Sequence, residues 1–195
     1  MRVLVTGTTG GIGGAVASAA LARGHDVVAF NRAEFDALAS APRAPFPVDG
    51  QFDAVAFCTG TCPVRPAALT SDELFAETLR VNCGLFLALM RRIVADRLYA
   101  PTGLRAVAIS SVSAAEGWPG GAAYCASKGA LSALCRALDA ELAPKGISVR
   151  ALEPRYVKTR MFDECAGRMG ADPSLARAPE DFAGDVLAAI EGETK

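Results

Sequence analysis

Apolar positions along this chain fall into short runs separated by breaks rich in glycine or proline. Arg2 to Thr6 is a β-branched apolar run that ends at glycine, the pattern of a short buried strand. Gly11 to Arg23 is alanine-rich, reads as a helix and stops at Gly24. Asp26 to Asn31 reads as a second strand. Residues 33–50 carry Pro42, Pro45 and Pro47 and read as a connection with one helical turn at its start. Phe52 to Cys58 is a further strand. Ser71 is placed to cap a long helix that runs towards Leu98. Leu104 to Ser110 reads as a strand, Ala122 to Leu142 as a helix closed by Pro144-Lys145-Gly146, and Ile147 to Leu152 as a strand. Residues 154–178 read as irregular, and Pro179 opens a final helix to about Ile190. Strands alternating with helices predict an α/β architecture of three layers, a parallel sheet covered on both faces.

Length and composition narrow the functional classes. A chain of 195 residues is expected to form one domain, with no room for a large separate substrate domain. Twenty basic and 21 acidic residues leave a formal net charge of -1, which gives no electrostatic reason to hold nucleic acid or an anionic membrane. Val3 to Ala22 is uncharged and follows Arg2, which mimics a targeting segment, but five glycines break it and no continuous apolar stretch remains. Six scattered cysteines and a single histidine offer no zinc-ligand spacing. They are expected to be free thiols in a reducing cytoplasm.

The first chemical candidate is the turn between the first strand and the first helix, Thr6-Gly7-Thr8-Thr9-Gly10-Gly11-Ile12-Gly13. Glycines there let the backbone turn sharply and approach a pyrophosphate, and the following helix supplies N–H donors and a positive dipole end. The competing reading is a tight turn without a ligand. The second strand should end beside an adenosine ribose. A carboxylate at that end would select NAD. The chain has Asn31-Arg32 instead, and the planar Arg32 fork suits a 2′-phosphate, which favours NADP(H) over NAD(H). The alternative is a solvated loop arginine.

The second candidate lies further along. Ser110 and Ser111 end a strand, where open parallel sheets bind ligands. Tyr124 follows Ser111 by thirteen residues, and Lys128 is one helical turn beyond it on the same face. A tyrosine is a poor acid or base near neutrality because its pKa is about 10, and a neighbouring ammonium lowers that value. Each residue alone has an ordinary reading as a helix surface or a strand end. Their combination with the glycine turn carries the argument.

Taken together, these residues resemble the short-chain dehydrogenase/reductase family. The resemblance rests on the glycine turn, on Ile109-Ser110-Ser111 and on Tyr124-Cys125-Ala126-Ser127-Lys128. Val81-Asn82-Cys83-Gly84 supports it, as does Ile147 to Pro154 followed by Val157 and Thr159, so that it spans roughly residues 1–161. It implies a Rossmann-like, doubly wound fold and a catalytic set of Asn82, Ser111, Tyr124 and Lys128. Cofactor contacts are implied for Gly7, Thr8, Thr9, Gly11, Ile12, Gly13, Asn31, Arg32, Gly60, Tyr124, Lys128, Pro154, Val157 and Thr159. In the mechanism it implies, Tyr124 exchanges a proton with the substrate oxygen and Ser111 hydrogen-bonds that oxygen. Lys128 holds the nicotinamide ribose and depresses the Tyr124 pKa, and Asn82 supports a water in a proton relay. The implied substrate is a small carbonyl compound or secondary alcohol. Relatives assemble through the helices bearing Asn82 and Tyr124, so a homodimer is expected.

Several positions depart from the family. Phe57-Cys58-Thr59-Gly60 stands where an Asn-Asn-Ala-Gly stretch is usual, and a cysteine cannot reproduce the donor and acceptor set of an asparagine. Arg155 follows Pro154 where glycine is usual, and it narrows the pocket, contacts an anionic substrate or points to solvent. Asp49 stands where relatives have an acidic residue against adenine, but the segment around it is too short for the usual helix. Trp118 is expected either beside the site or on the core, and Tyr156, Met161 and Phe162 are expected to cover the substrate. These departures motivate an alternative, a catalytically silent NADP(H)-binding sensor or scaffold. A lyase or epimerase using the same Tyr and Lys would need a larger C-terminal substrate region than this length supplies.

Overall fold

The computed structural model describes residues 1–40 and 46–193. Its centre is one parallel sheet of five strands, β1 (Arg2–Thr6), β2 (Asp26–Phe30), β3 (Ala54–Phe57), β4 (Leu104–Ile109) and β5 (Ile147–Leu152). Their spatial order is β2-β1-β3-β4-β5. The register runs from Arg2 opposite Asp26 through Val3 opposite Ala54 to Leu104 opposite Ile147.

Alternation along each strand builds two cores. Leu4, Val55, Phe57, Ala106 and Ala108 face one side, where they meet α2 (Arg32–Ser40), α4 (Leu85–Ala95) and α5 (Ala122–Leu142) through Phe35, Phe86, Leu89 and Leu131. Val3, Val5, Ala54, Ala56 and Val107 face the other side, where α1 (Gly11–Ala22) and α7 (Pro179–Glu191) contribute Val16, Phe182, Val186 and Leu187. Both faces of the central strands are therefore apolar, which explains why the strands read as continuous apolar runs. The arrangement is a Rossmann-like α/β fold. None of the helices searched among the described residues is long and apolar enough to cross a membrane.

The structure differs from the sequence reading in four places. The single turn expected after the second strand is a nine-residue helix, α2, because Asn31 opens it and Phe35 and Leu38 bury its inner face. Pro42 and Pro45 lie outside the described residues. The long helix expected from Ser71 is α3 (Asp72–Leu79), a π-helical turn at Arg80–Gly84, and then α4. Ser71 does cap it, its hydroxyl accepting from the Leu74 N–H at 3.2 Å. The third strand starts at Ala54, and Phe52 instead pairs with Tyr99 in an isolated bridge. The stretch expected to be irregular contains α6 (Arg160–Met169), capped by the Thr159 hydroxyl and buried through Phe162, Cys165 and Ala166.

Candidate active site

The sheet reverses its winding between β1 and β3, and a cleft of about 670 Å³ opens beyond the carboxyl ends of these strands. Its floor begins with the glycine turn. Gly7 takes φ +67, a left-handed conformation that disfavours side chains, and a Cβ on Gly13 would lie 2.2 Å from the Gly7 carbonyl oxygen. A Cβ on Gly11 would meet the Thr159 methyl at 2.7 Å, so the entry to α6 sits directly over the turn. α1 starts with no side-chain cap and no acidic residue in its first turn. Its N-terminal amides and dipole are thus left to face the cleft, which fits the pyrophosphate of a dinucleotide.

Thr6 at the end of β1 fixes the opposite wall. Its hydroxyl oxygen accepts from the backbone N–H groups of Cys58 and Thr59, at 3.0 and 3.1 Å, and from the Thr59 hydroxyl at 2.9 Å. The rigidity that Cys58 cannot supply through its own side chain comes from this threonine. Burial pushes the Cys58 thiol up to about 12, so it sits there as a neutral group.

At the adenosine end, the Asn31 carbonyl oxygen accepts from the Thr8 amide at 2.9 Å, and its amide donates to the Thr8 hydroxyl at 2.9 Å. Thr8 is consumed by this pair and does not line the cleft, whereas Gly7, Thr9, Gly11, Ile12, Gly13 and Asn31 do. Arg32 is exposed on the same rim, where Asp36 and Arg80 also line the cleft. Arg80 is forked onto Glu77 at 2.6 and 2.8 Å. The sequence reading missed Asp36 and Arg80, because their approach depends on how α2 and the π-helical turn pack. Asp49 does not line the cleft.

At the other end, α5 presents Tyr124 and Lys128 beside Ser111. The Lys128 Nζ donates to the Ile109 carbonyl at 2.7 Å and lies 5.7 Å from the centre of the Tyr124 ring. Burial lowers the lysine pKa to about 8. Burial also pushes the Tyr124 phenol above its ordinary value, the thiol of Cys62 adds to the rise, and a hydrogen bond with Ser111 opposes it. Ser111 is buried, and its hydroxyl oxygen accepts from the Ser113 N–H at 3.1 Å.

Asn82 is fully buried and stands behind this group, outside the cleft lining. Its oxygen accepts from the Thr61 N–H at 2.7 Å, and its amide donates to the Thr61 carbonyl and the Ser127 hydroxyl, each at 2.8 Å. The π-helical turn at Arg80–Gly84 carries the side chain that makes these contacts. Gly60 is small for a reason visible here, since a Cβ would press on the Asn82 oxygen at 3.3 Å and approach the Lys128 Nζ at 3.6 Å.

Pro154, Arg155, Tyr156, Val157, Thr159, Met161 and Phe162 all line the cleft. Arg155 pairs with Glu116 at 2.8 Å, with both side chains half exposed. Tyr156 and Phe162 pack with ring centres 5.4 Å apart. Trp118 stays out of the lining; its indole N–H donates to Ser113 at 3.2 Å and its ring centre lies 6.2 Å from that of Tyr124. Cys62 and Cys165 line the cleft although nothing in the sequence pattern marked them.

Comparison with known proteins places this geometry in a class. The family model described as Enoyl-(Acyl carrier protein) reductase matches residues 31–180. The chain belongs to the short-chain dehydrogenase/reductase family, oxidoreductases that act on CH–OH and C=O groups. It is similar to 3-oxoacyl-[acyl-carrier-protein] reductase FabG of Rickettsia felis, with 26% identity over 98% of this chain and 92% of that protein. It is also similar to the short-chain reductase protein NovJ of Streptomyces niveus, with 30% identity over 87% of this chain and 74% of that protein. Among solved structures, a dehydrogenase/reductase from Sinorhizobium meliloti 1021 superposes with a TM-score of 0.78 and 26% identity, covering 100% of this chain and 90% of the other. A putative NAD(P) dependent gluconate 5-dehydrogenase from Beutenbergia cavernae, with bound NADP, gives a TM-score of 0.77 and 27% identity over 96% and 88% of the two chains.

Proposed function

We propose that residues 1–195 work as a single NAD(P)-binding catalytic domain that interconverts a carbonyl compound and a secondary alcohol, with NADP(H) favoured over NAD(H). The observation that carries this reading is the placement of Tyr124, Ser111 and Lys128 at one end of a cleft whose other end is rimmed by the glycine turn and Arg32. When bound, the nicotinamide supplies the hydride for reduction or accepts it in oxidation.

The protein's own part is proton supply and positioning. Tyr124 holds its proton at the phenol oxygen, and burial makes it a weaker acid still, so donation to a substrate oxygen depends on the charge that develops there and on the ammonium of Lys128 beside the ring. The Ser111 hydroxyl, already fixed by Ser113, stabilises that oxygen. Lys128 is held against the Ile109 carbonyl, one turn from Tyr124, where its ammonium favours phenolate during the step. Asn82 holds the backbone of Thr61 beside that lysine. Tyr156, Met161 and Phe162 give the substrate end an apolar cover, consistent with an apolar carbonyl compound. Arg32 supplies a fork for a 2′-phosphate.

The test is a binding and turnover screen of NADPH against NADH with ketones, aldehydes and quinones. The reading expects NADPH to bind more tightly and to be oxidised with at least one carbonyl class. Cofactor binding without turnover across the whole panel would turn the assignment to a non-catalytic binding protein.

A further inference from the structure

Two thiols in the cleft have no part in the mechanism above. Cys62 lies in the loop that leaves β3, and Cys165 lies on the buried face of α6. The Cys165 Sγ donates to the Cys62 backbone carbonyl oxygen at 3.3 Å, which brings the two cysteines side by side across 103 residues of sequence. Both line the cleft, so a small reagent that enters it meets them. We propose that Cys62 and Cys165 are a two-electron oxidation site, whose disulfide clamps α6 onto the loop after β3 at the substrate end of the cleft.

The Cys165 sulfur already rests on the Cys62 backbone carbonyl, so the two side chains reach disulfide geometry by closing the remaining gap and rotating about their side-chain bonds. One partner stands in a loop free of helix and strand, so that approach breaks no regular structure. Besides the thiol, α6 is joined to this loop by Arg168, whose Nη1 donates to the Val64 carbonyl at 3.3 Å. A covalent link would therefore fix a contact that already exists.

Burial holds the Cys62 thiol protonated while Lys128 pulls in the other direction, so the pair stays reduced until an oxidant is present. With a low-molecular-weight disulfide as oxidant, the Cys62 thiolate attacks one reagent sulfur and expels the other as thiolate, leaving a mixed disulfide. The Cys165 thiolate then attacks the Cys62 sulfur and expels the second reagent thiolate. Each leaving thiolate takes up one of the two protons the cysteines release. The cysteines are oxidised by two electrons, and the reagent disulfide is reduced to two thiols. Cys125 is the competing partner, since it also acts electrostatically on Cys62.

The full-length protein is incubated with hydroxyethyl disulfide and followed by intact mass, non-reducing peptide mapping and thermal unfolding. These readouts do not depend on turnover, so their failure is distinct from failure of the proposed activity. The expected product has lost two hydrogens, maps to a Cys62–Cys165 peptide, unfolds at a midpoint higher by on the order of 5 °C, and reverts with dithiothreitol. Cys165→Ser should instead trap a mixed disulfide on Cys62. Absence of the bond, stable adducts on both cysteines, or pairing of either with Cys125 would overturn the proposal. A bond that forms without raising the midpoint would overturn the clamp.

Discussion

The Lys128 ammonium lies 5.7 Å from the centre of the Tyr124 ring, one helical turn along α5. That spacing places a buried cation next to a buried phenol, and each group is shifted away from its charged form by the same lack of water. Asn82 braces the helix behind the pair through the Ser127 hydroxyl, which donates to the Tyr124 carbonyl, and the Ile109 carbonyl holds Lys128 from the strand side.

Asn82→Ala should destabilise the protein by about 1–3 kcal/mol, because it strips partners from the half-buried amide and carbonyl of Thr61 and from the buried Ser127 hydroxyl. Asn82→Asp should be at least as damaging, since a carboxylate would face the Thr61 carbonyl oxygen in place of a donor. Chemical denaturation of both variants checks the size and the order. An alanine variant as stable as the parent would remove Asn82 from its place as a structural anchor.

Gly13→Ala forces a methyl group to 2.2 Å from the Gly7 carbonyl oxygen, against backbone that cannot rotate away. The expected cost is about 1–3 kcal/mol of stability. Dinucleotide affinity should fall at least about tenfold, because the start of α1 must shift. Unfolding midpoints and fluorescence titration with NADPH measure the two effects.

Arg32→Ala should weaken NADPH binding by about 10–100-fold, the worth of a charge-assisted fork on phosphate, and leave NADH binding nearly unchanged. Equal losses for the two cofactors would assign the 2′-phosphate contact elsewhere on the rim, with Arg80 as the next cation to test.

Stability should fall with pH above about 9. The Cys135 thiol is pushed up to about 12 by burial, so the unfolded chain releases that proton first and is favoured as pH rises from 9 to 12. Cys58 behaves in the same way. Lys128 acts in the opposite direction between about 8 and 10.5, where the unfolded chain binds the extra proton, but one lysine is outweighed by two thiols. Cys135→Ala should make the decline shallower by up to about 1.4 kcal/mol per pH unit in that window, as read by urea unfolding from pH 8 to 11.

These supports were unequally visible in the sequence. The glycine turn, Ser111, Tyr124 and Lys128 were legible because their chemistry depends on local spacing within one turn or one helix. Most strands and the helix Ala122–Leu142 were legible because their apolar runs are long and well bounded. The π-helical turn at Arg80–Gly84 was not, since an extra residue per turn leaves no compositional trace, yet it carries the contacts made by Asn82. α2 and α6 were missed or shortened because each buries only two or three apolar residues beside proline-rich or glycine-rich sequence. Cys62 and Cys165 stand about a hundred residues apart, and only the packing of α6 over the β3 loop brings them together.

The most direct measurement of the central claim is the behaviour of Tyr124→Phe with NADPH and a carbonyl substrate found for the parent protein. The ring and its packing remain, and only the proton donor is lost. Turnover should fall about a hundredfold or more, with the dissociation constant for NADPH unchanged. Turnover equal to that of the parent would contradict the role of Tyr124 as the proton donor.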